Sequence, residues 1–195
     1  PDPQAISVNQ LIGDASLPVN IKILNNLPPN PKLRLYRTLI PIQVLAEFDI
    51  NPRTWKNPDK QPQVRLVADE GTNVVKISAW YGDDSQNEFF YLELADNAYN
   101  GIELNFLIAN NPISQKFNTD FDDLGRETLF GTVHRNVGEE EKSMAAGLAP
   151  GQTREGLRCS KVVFNHIETF LTMMAHHAFF LEPMSYVSAW IFERR

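Results

Sequence analysis

Between positions 64 and 108 the apolar residues return at every second place, and three turns interrupt the run. Val64, Leu66 and Ala68 alternate with polar neighbours before Asp69-Glu70-Gly71-Thr72. Val75, Ile77, Ala79 and Tyr81 alternate with Lys76, Ser78 and Trp80 before Gly82-Asp83-Asp84-Ser85. Phe90, Leu92 and Leu94 alternate with Tyr91 and Glu93, and Asn100-Gly101 lies in the next turn. Ile102, Leu104, Phe106 and Ile108 alternate with Glu103 and Asn105. A period of two places one set of side chains on one face of a pleated strand. Short links rich in turn residues join antiparallel neighbours. The stretch is predicted to be an antiparallel meander with one dry face.

Similar patterning flanks it. Val19, Ile21 and Ile23 alternate with Asn20 and Lys22, which predicts a half-buried strand. Leu27-Pro28-Pro29-Asn30-Pro31 then breaks the chain, and Leu33, Leu35 and Leu39 predict another strand. Residues 41–48 fit a strand through Ile42, Val44, Ala46 and Phe48, or a short helix opening at Pro41; the strand is preferred. Residues 1–17 read as an irregular arm, 51–62 and 110–128 as loops, and 129–134 as a short strand. Residues 136–157, with Gly138, Gly147, Pro150, Gly151 and Gly156, read as one long irregular segment. A final strand is expected from Tyr186, Ser188, Trp190 and Phe192.

One long helix is predicted over 162–181, with Ser160 as N-cap and Pro183 as stop. At about 100° per residue, Asn165, Thr169, Thr172 and His176 form a polar stripe with Glu168 beside it. Val163, Ile167, Phe170, Leu171, Met174, Ala178 and Leu181 form the apolar side. Asn165, His166, Glu168, His176 and His177 oppose a membrane span, because polar and ionisable groups are costly in a bilayer core. The expected fold is α+β: an antiparallel sheet of about six to eight strands, with a meander core, packed against one long C-terminal helix that a final strand follows. At a typical domain size of about 150 residues, residues 1–195 are expected to form one domain.

Charge narrows the partners. The net charge is -6, and residues 1–100 and 101–195 each carry 9 Lys/Arg against 12 Asp/Glu. No basic run exists to displace the counterions of a nucleic acid, so none is expected as a partner. The 1 cysteine, Cys159, excludes an intrachain disulfide. The opening Pro1-Asp2-Pro3-Gln4-Ala5 has neither the basic nor the apolar run of a secretory leader. A cytoplasmic location is the expectation.

Chemistry-bearing residues are few. His176 and His177 are adjacent and point about 100° apart on a helix, and the HExxH spacing is missing, so no metal site is expected. Asn165, Glu168, Thr169, Thr172 and His176 are the expected ligand-binding set, polar groups converging between helix and sheet. Glu168, His176 and His134 are the candidates for acid–base catalysis, with 138–157 as a lid. Arg154, Arg158 and Lys161 precede or open the helix and are candidate anion ligands. Cys159 sits among the same cations, where a thiol pKa falls. Trp80 shares a strand face with Lys76 and Ser78 and is expected to be exposed.

No catalytic set is complete and no cofactor motif is present. The leading expectation is a non-catalytic binding protein, holding either a small apolar molecule between helix and sheet or a protein partner on an aromatic sheet face. The alternatives are an enzyme using a Glu/His pair on the helix and a structural subunit of a larger assembly. A homo-oligomer is compatible with each.

Overall fold

A computed structural model describes residues 18–85, 87–128, 133–149 and 152–182. Their backbone contacts cluster into two compact units. One holds the described residues of 18–109 and 158–181, the other those of 110–157 with residue 182.

The first unit is α+β, built on a five-stranded sheet in the order β1-β2-β3-β4-β5. The strands are β1 (Val64–Val67), β2 (Val74–Trp80), β3 (Glu88–Asp96), β4 (Ile102–Ala109) and β5 (Phe179–Leu181). The first four are antiparallel, as the alternation predicts, and β5 lies parallel to β4 with Ile102 opposite Phe179. Register sets the faces. Ile77 stands opposite both Leu66 and Leu92, and Leu94 opposite both Val75 and Leu104. Val75, Ile77, Ala79, Phe90, Leu92, Leu94, Ile102 and Leu104 make the buried face. Gly71 and Gly82 take the left-handed conformations, φ 79° and 77°, that their tight turns require. The sheet has five strands among the described residues, not six to eight, and is mixed. The expected strand over 186–192, the arm 1–17 and most of 129–134 lie outside the described residues.

Helices cover the ground where three N-terminal strands are expected, over 19–23, 33–39 and 41–48. They are α1 (Ile21–Asn25), α2 (Pro29–Tyr36), a 3-10 turn (Arg37–Leu39) and α3 (Ile42–Ala46). α1 forms because its orphan N–H groups are met. Asn20 Oδ1 accepts from Ile23 N at 2.9 Å, and the Asp96 carboxylate accepts from Ile21 N at 2.6 Å and Lys22 N at 2.9 Å. Pro29 opens α2 rather than breaking a strand, since a first-turn proline sacrifices no helical bond. Residues 42–46 take the helical option, with Val44, Leu45 and Phe48 buried.

The main helix, α5 (Ser160–Met173), is preceded by α4 (Val137–Ala145) in chain order. At 14 residues α5 is shorter than the predicted 162–181, and Cys159, not Ser160, stands at its N-cap. Its buried residues are Val163, Phe164, Ile167, Phe170 and Leu171. Phe170 lies 5.8 Å from Tyr36, and Phe164 stacks at 6.3 Å on Phe179. The helix packs on the 3-10 turn and the start of β5. Among the described residues no helix is long and apolar enough to cross a membrane.

In the second unit the expected irregular segment contains a helix. Asn136 Oδ1 caps α4 by accepting from Glu139 N at 3.2 Å, and Asn136 Nδ2 donates to the carbonyls of Asn118 and Phe121. Buried Glu140 is ion-paired with Arg135.

Candidate functional site

The end of α5 is set by hydrogen bonds rather than by glycine. His176 N donates to Leu171 O at 2.9 Å and Ala175 N to Thr172 O at 3.1 Å. This is a Schellman turn with alanine, at φ 61°, in the left-handed position that glycine usually takes. It puts His176 and His177 beyond the helix, so helical spacing misplaces them.

Val19, near the start of the described residues, then fixes the turn. Its N–H donates to Met174 O at 3.0 Å, and its carbonyl lies 3.0 Å from His176 Nε2. A carbonyl only accepts, so Nε2 carries the hydrogen of this bond. His176 is 8% exposed. It lines an open hollow of about 400 Å³, together with Glu168, Leu171, Thr172, His177, Ala178 and Phe179.

The polar stripe divides at this hollow. Glu168 and Thr172 line it with His176. Asn165 and Thr169 do not, and all four helical members of the stripe are exposed, on the side of α5 away from its core. Thr169 and Thr172 donate their hydroxyl protons back to the carbonyls of Asn165 and Glu168, each at 2.8 Å. Of the catalytic candidates, Glu168 and His176 share the hollow, whereas His134 belongs to the second unit. His166 is occupied elsewhere: its Nδ1 lies 2.8 Å from Thr38 O.

The proposed anion ligands fall in both units. Arg154, in the second unit, donates to the carbonyls of Pro112 and Ser114. Arg158 and Lys161 lie in the first. The Cys159 thiol is pushed up, first by burial and then by the Glu47 carboxylate, opposite to the lowering its cationic sequence neighbours suggest. Among the described residues no group of three His, Cys, Asp or Glu is placed to hold a metal ion.

A second surface is the outer sheet face. Trp80 is buried there rather than exposed, with the Arg65 guanidinium 5.4 Å above its ring. Tyr91 and Phe106 meet edge to face at 5.8 Å. The Tyr91 hydroxyl donates to Glu93 at 2.7 Å, and Glu93 also accepts from Asn105 and pairs with Lys76 at 3.3 Å. Burial works to raise the Glu93 carboxyl, but those hydrogen bonds and the lysine outweigh it and hold the group below its ordinary value. Burial raises the Tyr91 hydroxyl, and the bond to Glu93 adds to the rise. Alternation flags Lys76, Tyr91, Glu93 and Asn105 only as polar partners of the dry face, and it sets Phe106 in that face's apolar row with Leu104; a register shift between Glu93 and Leu94 instead stands Phe106 opposite Glu93, beside Tyr91 on the outer face.

A third feature escapes the sequence altogether. An open hollow of about 540 Å³ lies in the 49–60 loop, where Asp49, Trp55 and Lys60 are all left-handed. Searched against family models, curated proteins and solved structures, the chain finds no match.

Proposed function

We propose that the chain is a non-catalytic binding protein that seats a small ligand, apolar over part of its surface, in the hollow at the C-terminal end of α5. The observation that carries this reading is His176. A polar ring nine-tenths buried, fixed at one nitrogen by Val19, presents its other side where Glu168 and Thr172 stand beside Leu171 and Phe179. A few convergent polar groups over apolar ones, in a volume within the usual range of about 300–1,000 Å³, is the common composition of small-molecule sites. Backbone amide NMR with a fragment library tests it. Binders are expected to shift the resonances of residues 168–179, and a library whose hits all map elsewhere refutes the reading.

A second reading, a protein partner on the outer sheet face, is favoured by the half-buried Tyr91–Phe106 pair and its charged surround. Aromatic groups with a polar rim are characteristic of interface centres. Loss of a captured partner on Tyr91→Ala, with folding intact, supports it; undiminished capture removes it.

A further inference from the structure

We propose that Asn100 is a site of spontaneous covalent modification, losing ammonia to become aspartate or isoaspartate, and that the side chain of Asn97 slows the conversion. Both the chemistry and its restraint lie in the turn between β3 and β4.

Asn100-Gly101 is the single Asn-Gly pair in the sequence. Asparagine is among the thermally labile residues. A glycine after it leaves the next backbone nitrogen unshielded by any side chain. The turn calls for both residues. Asn100 has φ 57°, in the left-handed region that asparagine enters more readily than most residues with a side chain. A Cβ at Gly101 would stand 2.7 Å from Phe180 Cε2 and 3.3 Å from Asn97 Oδ1, so a side chain there would have to displace them. Asn100 is exposed, and water reaches its amide.

Water and hydroxide are the only co-reactants. Hydroxide takes the proton of Gly101 N, and the nitrogen attacks Asn100 Cγ. The Cγ–Nδ2 bond breaks, and the side-chain nitrogen leaves as ammonia with a proton taken from water. The product is a five-membered succinimide. Water then adds to one of its two carbonyl carbons. Addition at Cγ leaves an aspartate on an unaltered main chain. Addition at the backbone carbonyl leaves an isoaspartate, with one more methylene in the main chain. No atom is oxidised or reduced. The extra methylene falls between Asp96 and Ile102, which stand opposite each other at the end of the β3–β4 ladder.

The fold acts on the first step. The proton that must leave Gly101 N is donated to Asn97 Oδ1 at 2.9 Å. The same oxygen accepts from Tyr99 N at 3.0 Å. Asn97 N donates back to Gly101 O at 2.9 Å, and Asn100 N donates to Asn97 O at 3.3 Å. These bonds hold the attacking nitrogen in the turn, so attack on Asn100 Cγ requires the turn to open locally.

The test ages the full chain in mildly alkaline buffer, native and in urea, and follows position 100 by peptide mass spectrometry with fragmentation that separates aspartate from isoaspartate. Conversion is expected in both, at least about fivefold slower in the native chain, the factor that one ordinary hydrogen bond sets. Asn97→Ala is expected to raise the native rate about fivefold, whereas Asn97→Asp, which keeps the accepting oxygen, is expected to convert no faster than wild type. Equal native and unfolded rates, or an Asn97→Ala rate equal to that of wild type, would overturn the role of Asn97. A native chain still unconverted at position 100 long after the unfolded chain is fully converted would overturn the site itself.

Discussion

The Tyr36 hydroxyl donates to Asn25 Oδ1 at 2.6 Å, with both residues at 0% exposure. The asparagine amide in turn donates to Thr72 O and Val74 O, at 3.0 and 2.9 Å, and so ties α1 to the segment entering β2. In the dry interior each member has value mainly because the others complete it. Tyr36→Phe keeps the ring and strands the asparagine oxygen. It is expected to cost about 1–3 kcal/mol, the range for an orphaned buried polar group. Urea unfolding measures it; a loss under about 0.5 kcal/mol, within the effect of an ordinary surface change, would mean that the bond is not made.

Ala175 pays the left-handed penalty that a glycine would not. Ala175→Gly is expected to stabilise the protein by about 1 kcal/mol, reduced somewhat by the greater freedom of glycine in the unfolded chain. Thermal unfolding should show a higher Tm, with the amide shifts of His176 and His177 nearly unchanged. A lower Tm would show that the turn does not take this conformation.

Glu93 links stability to acid. Its folded value lies below its ordinary one, so its contribution is present above the unfolded value, about 4.3, and is lost as pH falls through the lower folded value. Unfolding free energies of wild type and Glu93→Gln are expected to differ most above about pH 5 and to converge in stronger acid. A gap that does not change with pH would deny the group its role.

Cys159 should be a slow nucleophile. Burial and Glu47 raise its thiol, so less thiolate is present at pH 8 than for a free cysteine. Alkylation by iodoacetamide in the native state is expected to be slower than for the unfolded chain, and faster native labelling would contradict the environment described.

The meander could be read from the chain because its information is local. Each alternation spans one strand, and each break holds the residues its turn needs. The N-terminal helices could not. α1 and α3 have 5 residues each, too few to display a 3.6-residue period, and α1 is held by Asp96, which lies 75 positions from Ile21. α4 was legible in principle: Asn136 and Glu139 stand at the spacing of an N-cap and its third helical residue. The end of α5 was hidden, because Met174, Ala178 and Leu181 continue the apolar period past a stop that carries no glycine. The same limit governs the site. Spacing groups Glu168, Thr172 and His176, yet what holds the His176 ring is a backbone carbonyl at position 19.

That double grip of Val19 has a consequence for folding. The meander can assemble from neighbours in the chain, but the turn that carries His176 is complete only when residue 19 meets residues 174 and 176, the second of them 157 positions away. Any ligand that needs His176 so placed would bind the finished state alone, and would stabilise it by RT ln(1 + [L]/Kd). Occupancy would thus double as a gauge of whether residue 19 has met the end of α5.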